Sequence, residues 1–136
     1  MFFLQLSGVP GAGKSTLANE ITKHLDVVVV AHDMVKTPLL KAGVKWSVAG
    51  QAAYEVDYSL AGYYLSYGHS VILDTPCFSE EQIKRGMAIA KKAGVPYKFI
   101  ECCLTDIAEI DRRLHMRDSL PSQTPAVVWW SSGEIF

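Results

Sequence analysis

The chain has 136 residues, of which 49% are hydrophobic and 20% are charged. This length predicts a single domain, residues 1–136, with one core and no room for a second catalytic domain. The net charge of −1 argues against non-specific nucleic-acid binding, which usually needs a clustered basic surface.

The first predicted element is a strand, because residues 2–6 form an apolar run that leads into the sequence GVPGAGKS at residues 8–15. This sequence is a complete P-loop, and helix-like residues 16–25 follow it, as the motif requires. Its glycines let backbone N–H groups close around a phosphate chain, and the helix N-terminus adds its positive dipole end. The alternative is a glycine-rich turn that merely begins a helix, and the order of strand, loop and helix disfavours it.

The P-loop also predicts which residues contact a nucleotide. Lys14 is expected to bind the β and γ phosphates, and the Ser15 hydroxyl is expected to bind Mg²⁺. The residues expected to hold the nucleotide are those of the loop and the start of the helix: Gly8, Pro10, Gly11, Ala12, Gly13, Lys14, Ser15 and Thr16.

Strands and helices alternate along the rest of the chain. Continuous apolar runs, typical of strands buried on both faces of a parallel sheet, predict strands at residues 27–31, 70–74 and 97–104. Helices are predicted at residues 34–42, about 48–67, 79–93 and about 106–118. Ser79 is a favourable helix start, and the expected helix stops are Gly43, Gly68 and Gly94. The alternation predicts a three-layer α/β fold of the P-loop NTPase type, with helices on both faces of a mainly parallel sheet.

Two aspartates fall at the ends of predicted strands. Asp33 follows the strand at 27–31, and Asp74 ends the strand at 70–74. Ligands of a parallel sheet bind at the carboxyl ends of its strands, so both acids are expected beside the P-loop. We assign Asp74 to Mg²⁺ and Asp33 to the hydroxyl that accepts the phosphoryl group, because phosphoryl transfer needs both roles. The alternatives are a helix N-cap for Asp33 and a turn cap for Asp74, and His32 is expected to be a neighbour rather than a catalyst.

Two arginines on the last predicted helix are candidates for stabilising the transferring phosphoryl group. Arg113 and Arg117 are four residues apart and therefore share one helix face. A mobile helix could bring both guanidinium groups over the phosphates, where they would spread the developing charge. The alternative is an exposed charged face that pairs with Glu109 and Asp111.

The aromatic residues and the cysteines are less specific indicators of function than the motifs above. The aromatic residues around the predicted helix at 48–67 could line an acceptor pocket, although aromatics at this spacing more often pack a core: Trp46, Tyr54, Tyr58, Tyr63, Tyr64 and Tyr67. The odd number of cysteines, three, predicts reduced thiols and a cytoplasmic location. Cys102 and Cys103 are adjacent in a predicted buried strand, without the partners that a zinc site needs. No stretch reaches the roughly 18 apolar residues of a membrane span, so no membrane contact is expected.

These motifs resemble, in order and spacing, the P-loop small-molecule and polynucleotide kinases related to the zeta-toxin and chloramphenicol phosphotransferase-like proteins, often filed as AAA-type ATPases of unknown substrate. GVPGAGKST resembles their Walker A motif, and Ala31-His32-Asp33 resembles the end of their second strand, where the aspartate acts on the acceptor hydroxyl. VILDT resembles their Walker B strand, and residues 111–117 resemble their lid helix with its paired arginines. The resemblance covers Met1 to about Gln123.

The chain departs from that family after this point. Members usually continue through another helix and a fifth strand, whose following loop helps to hold the adenine. Here residues 121–136 form an atypical tail, in which residues 127–130 are a candidate for a shortened fifth strand. The departure implies weak nucleoside selectivity or an inactive protein.

The resemblance and the motifs together predict an ATP- and Mg²⁺-dependent phosphotransferase that acts on a hydroxyl of a small molecule. A polynucleotide 5′-kinase is the alternative within the same class, but Lys36, Lys41 and Lys45 are too few to predict a basic acceptor groove. A nucleotide-binding regulatory module without transfer activity is the alternative from another class. The acceptor, the choice between ATP and GTP, and the oligomeric state are not predicted by the sequence.

Overall fold

A computed structural model describes residues 1–76, 79–103 and 107–116. In this part of the chain, four strands form one parallel sheet in the order β2-β3-β1-β4. The strands are β1 Phe3–Ser7, β2 Val27–Ala31, β3 Ser70–Asp74 and β4 Tyr97–Glu101. The helices are α1 Lys14–Thr22, α2 His32–Lys41, α3 Trp46–Ser66, α4 Glu80–Ala93 and α5 Ile107–Met116.

Two apolar layers cover the sheet, one on each face. Alternate residues of a strand point to opposite faces, so Phe3 and Leu4 of β1 enter different layers. On one face, strand residues pack against Tyr58 and Leu65 of α3 and against α4. On the other face, Leu4, Leu6 and Ile72 pack against Ala18 of α1. The predicted three-layer α/β fold is therefore confirmed.

The two outer strands of the described sheet, β2 and β4, are less buried than the sequence predicted. The two middle strands, β1 and β3, are buried almost throughout. In β2 only Val30 is buried, and most of β4 is exposed, so the prediction that these two strands are buried on both faces is wrong. Each of them pairs with a single neighbour among the described strands, which leaves one edge and much of its surface uncovered.

Helix and strand ends mostly follow local chemistry. The predicted stops Gly43, Gly68 and Gly94 have φ values of 92°, 87° and 70°, a left-handed conformation that glycine adopts without strain. The Ser79 side chain accepts a hydrogen bond from the Gln82 N–H and caps α4 as predicted. In contrast, β4 ends three residues before its predicted end, so Cys102 and Cys103 follow the strand. Residues 104–106 and 117–136, which include the predicted tail, lie outside the described residues.

Aromatic residues of α3 divide between core and surface. Tyr58 is buried in the core, and Tyr54 and Tyr64 pack partly against it. Trp46, Tyr63 and Tyr67 are exposed. The aromatic spacing on this helix therefore reflects core packing for some residues and an exposed surface for others.

A polar contact inside the core fixes how closely α4 approaches the sheet. The fully buried Gln5 side chain donates a hydrogen bond to the Tyr58 hydroxyl at 3.2 Å and accepts one from the Tyr97 hydroxyl at 2.9 Å. A Cβ atom at Gly86 would lie 2.2 Å from Gln5 Oε1 and 2.9 Å from Tyr97 Cε2. Position 86 therefore tolerates only glycine unless this network moves.

We predict that Gly86→Ala and Gly62→Ala have opposite effects on stability. Both place alanine in a helix interior, which favours folding by about 1 kcal/mol. A Cβ at Gly62 would meet its nearest atom, Ile89 Cγ2, at an ordinary 3.9 Å, whereas a Cβ at Gly86 overpacks a buried network. Gly86→Ala should therefore lower the free energy of unfolding by about 1–3 kcal/mol. Urea denaturation of both variants measures the difference, and equal effects would contradict the overpacking argument.

Candidate active site at the carboxyl ends of the strands

Strand register brings the predicted site residues to one edge of the sheet. Asp74 pairs with Leu6 of β1 on one side and with Ala31 of β2 on the other. The chain leaves these strands through the P-loop, through His32 and Asp33, and through Thr75. The three segments therefore begin side by side at the edge where parallel sheets bind ligands.

The P-loop has the backbone conformation that its glycines predict. Gly8, Gly11 and Gly13 have φ values of 141°, 84° and 101°. Residues that carry a side chain rarely adopt these φ values, so a substitution at any of the three glycines would strain the backbone of the loop. A Cβ at Gly8 would also lie 2.6 Å from the Cys102 carbonyl oxygen, because the chain after β4 packs against the loop.

Lys14 curls back over the loop. Its Nζ donates hydrogen bonds to the carbonyl oxygens of Gly8 at 2.7 Å and Val9 at 3.3 Å. The ammonium group is therefore held at the loop whose N–H groups are expected to surround phosphates. Its predicted contact with the β and γ phosphates stays a prediction.

Ser15 and Asp74 meet at the start of α1. The Ser15 hydroxyl donates a hydrogen bond of 2.7 Å to Asp74 Oδ2. Burial raises the pKa of the Asp74 carboxyl, while the Ser15 hydrogen bond and the Lys14 charge act in the opposite direction. A hydroxyl and a carboxylate are oxygen ligands of the type that Mg²⁺ prefers, so this pair fits the predicted metal site.

Asp33 lies in the first turn of α2, whose N-cap is Ala31. The alternative prediction of Asp33 as the N-cap residue is therefore wrong, because the helix begins at His32, two residues before the start that a cap at 33 would give. Burial is the main cause that raises the pKa values of Asp57 and Asp74, and the Asp33 charge adds to the rise at both.

His32 forms a buried pair with Asp57 that sequence reasoning did not find. His32 Nδ1 and Asp57 Oδ2 are 2.6 Å apart, and both side chains are almost completely buried. Burial raises the pKa of Asp57, and the hydrogen bond to His32 opposes that change. A signal does exist in the sequence, since Asp57 interrupts a four-residue repeat of buried small or apolar residues in α3: Ala49, Ala53, Ala61 and Leu65.

Tyr54 connects two of the segments at this edge. Its ring packs against the His32 imidazole with centroids 4.3 Å apart, and its hydroxyl donates a hydrogen bond to the Pro76 carbonyl. The aromatic pattern predicted either a pocket or a core role for this helix, and neither reading included these contacts.

Helix α5 brings one of the two predicted arginines to the P-loop. Arg113 Nη1 lies 3.9 Å from the position of a Cβ on Gly13. The same side chain donates from Nε to Glu109 at 2.7 Å, and Arg112 also binds Glu109, so both arginines lower the pKa of Glu109 to about 2. The predicted pairing with Glu109 and the predicted position near the phosphate loop therefore occur together. Arg117 lies outside the described residues.

The sequence matches the family described as AAA domain, AAA_33, over residues 4–130. The chain therefore belongs to this family, and its architecture is that of P-loop kinases. No curated protein has a significant sequence match to the chain. Among the described residues, no helix combines the length and apolar character needed to cross a bilayer.

Three solved structures illustrate the similarity. A candidate kinase from Chloroflexus aurantiacus J-10-fl has a TM-score of 0.72 and 21% identity, with 83% of this chain and 64% of that chain covered. The APS kinase CysC of Mycobacterium tuberculosis, in complex with AMPPNP and APS, has a TM-score of 0.63 and 20% identity, with coverage of 82% and 67%. The Pnkp1/Rnl/Hen1 complex has a TM-score of 0.69 and 20% identity, with coverage of 88% and 41%. The chain thus spans less than two thirds of the first and third proteins, and these identities establish similarity of fold alone.

We predict that Lys14→Ala weakens nucleotide binding by about 10- to 100-fold, because a hydrogen bond to a charged group contributes about 1.5–3 kcal/mol. The thermal midpoint should change little, since both Lys14 hydrogen bonds given above end on carbonyl oxygens of its own loop. Titration of a fluorescent ATP analogue measures the affinity, with Lys41→Ala at the exposed end of α2 as the control. Equal affinities in the two variants would exclude Lys14 from phosphate binding.

Proposed function

We propose that this chain is an ATP-dependent phosphotransferase that moves the γ-phosphoryl group to a hydroxyl of a small molecule. The family and fold support nucleotide-dependent phosphotransfer, and a structural neighbour was solved with AMPPNP. The observation that carries the proposal is the placement of Asp33 and Asp74 beside the P-loop, with Asp74 hydrogen-bonded to Ser15.

Each group then has one task in the transfer. The P-loop N–H groups and Lys14 bind the phosphates, while Asp33 orients the acceptor hydroxyl and takes its proton as the new oxygen–phosphorus bond forms. The bond from the γ-phosphorus to the bridging oxygen breaks, and ADP leaves with that oxygen. Ser15 and Asp74 would hold Mg²⁺, which supplies positive charge to the phosphate oxygens when bound.

Arg113 is assigned to the transition state in the same proposal. Its guanidinium lies beside Gly13, at the start of the helix that follows the loop. In the transition state the charge is spread over the oxygens of the transferring group and the leaving oxygen, so a planar cation at this position would stabilise it. Arg117, four residues further along the sequence, is proposed to act with it. A cytoplasmic location belongs to the same proposal and is supported by the free thiols of Cys102 and Cys103.

The experiment that tests this function is a screen for acceptors. Release of ADP from ATP and Mg²⁺ is measured with sugars, nucleosides, APS and oligonucleotides that carry a 5′-hydroxyl. A small hydroxyl compound that stimulates ADP release and becomes phosphorylated supports the proposal. Stimulation only by oligonucleotides would replace it with a polynucleotide 5′-kinase. Tight ATP binding without turnover on any acceptor would replace it with a nucleotide-binding regulatory module.

We predict that substitutions of Asp74 and Asp33 affect different steps, metal binding in the first case and phosphoryl transfer in the second. Asp74→Asn should raise the Mg²⁺ concentration needed for activity, because a neutral amide is a poorer partner for a hard cation. Asp33→Asn should leave ATP and Mg²⁺ binding unchanged and slow transfer by about 10²-fold, the range that general base catalysis contributes. Mg²⁺ titrations of nucleotide binding and of transfer distinguish the two variants. Loss of only metal affinity in both would show that Asp33 does not act on the acceptor.

We also predict that Arg113→Lys slows transfer by about tenfold or more while ATP affinity changes little. Lysine keeps the charge and loses the planar group of donors that matches phosphate oxygens. Arg112→Lys is the matched control, since that side chain binds Glu109 and Met116 instead of reaching the P-loop. Equal transfer rates in the two variants would show that Arg113 is part of an ordinary exposed charged face and does not act on the transferring group.

A further inference from the structure

Helix α3 contacts both segments that carry the candidate aspartates. Tyr54 and Asp57 are three residues apart in this helix, so they lie on neighbouring positions of one face. Asp57 binds His32, which directly precedes Asp33. Tyr54 binds the carbonyl of Pro76, which is the second residue after Asp74. A single helix face therefore reaches the segment after β2 and the segment after β3.

His32 is held from two sides. Its Nδ1 lies 2.6 Å from Asp57 Oδ2, and its ring packs against Tyr54 with centroids 4.3 Å apart. Its backbone follows Ala31, which pairs with Asp74 across the sheet. The imidazole is 5% exposed and the Asp57 carboxyl 0% exposed, so both polar groups depend on protein partners rather than on solvent.

Burying such a polar pair between a helix and a sheet costs free energy, because both side chains lose their contact with water. Replacing a buried polar pair with well-packed apolar side chains is often neutral or stabilising, so packing alone does not account for the contact between His32 and Asp57. Asp57 Oδ1 and Thr75 Oγ1 are also buried, and neither has a hydrogen-bond partner among the described residues. The polar groups are concentrated where α3 meets the strand ends, the place where geometry decides phosphoryl transfer.

We propose that Tyr54 and Asp57 are positioning residues which, with His32, form a brace that fixes the spacing between Asp33 and Asp74. The name brace refers to these three side chains only. The proposal rests on the proposed function, because it assigns the brace to the two aspartates of that site. The brace acts by orienting strand ends and takes no part in the bonds that form or break.

The decisive comparison is between Tyr54→Phe and Tyr58→Phe. Both remove a tyrosine hydroxyl of α3 that donates to a backbone carbonyl, to Pro76 in one case and to Gln82 in the other. A purely structural role predicts that both variants lose stability and that neither changes the site. The brace predicts a change at the site only for Tyr54→Phe, because only Pro76 follows the metal aspartate.

The measurement is the Mg²⁺ concentration that half-maximally strengthens binding of a fluorescent ATP analogue, together with the free energy of unfolding. We expect Tyr54→Phe to raise this concentration by about tenfold, as the loss of a supporting contact commonly does, and Tyr58→Phe to leave it within about twofold. Equal Mg²⁺ requirements in the two variants would overturn the brace. Because this measurement needs no acceptor, it remains informative if the protein transfers no phosphoryl group.

Asp57→Asn tests the second contact. Once an acceptor is known, this variant should lower kcat for transfer by about tenfold or more while KM for ATP stays unchanged, since a small displacement of a catalytic group has a large effect on rate. Wild-type kcat in a folded Asp57→Asn protein would exclude Asp57 from the brace. Should the variant fail to fold, the comparison of the two tyrosine variants decides the proposal.

Discussion

The pairing of Asp74 with both of its neighbours is the constraint on which the rest of the site depends. The same residue lies opposite Leu6 in β1 and Ala31 in β2. This register places the ends of three strands side by side. Each strand then continues into one of the segments that form the candidate site: the P-loop, the start of α2, or the residues after Asp74. A shift of one residue in either pairing would turn the alternating side chains to the other face and separate those segments.

Burial and charge act together on the carboxyl groups at this edge of the sheet. Burial raises the pKa values of Asp57 and Asp74, and the charge of Asp33 adds to the rise at both. Lys14, His32 and the Ser15 hydroxyl offset part of that effect at Asp74. In the proposed function, a cation bound by Ser15 and Asp74 would offset the charge of the Asp74 carboxyl.

Residues whose role depends on local chemistry were the ones that the sequence predicted best. The glycines of the P-loop and of the helix ends adopt positive φ values because local backbone geometry requires them, and Ser79 caps α4 for a similarly local reason. The alternation of strands and helices was sufficient for the fold class. These features need no knowledge of which elements become neighbours.

Features that depend on distant neighbours were missed or wrongly predicted. Strand β2 has the apolar composition of a central strand, and only the strand order shows that it pairs on one side in the described sheet. Asp57 is 25 residues from His32, so nothing near it in sequence indicates its partner. The order of motifs predicted that Asp33 and Asp74 share one edge of the sheet, whereas the contacts of Tyr54 and Asp57 depend on how α3 packs.

The central claim is that one edge of the sheet binds a metal–nucleotide complex through three separate segments. Backbone amide NMR with ADP and Mn²⁺ tests it directly, because the paramagnetic ion broadens signals of nearby residues. The account predicts broadening of the P-loop, of Asp33 and of Asp74 together, while Gly68 and Gly94, which end α3 and α4, remain sharp. Broadening of Gly68 or Gly94, or of the P-loop without either aspartate, would contradict it.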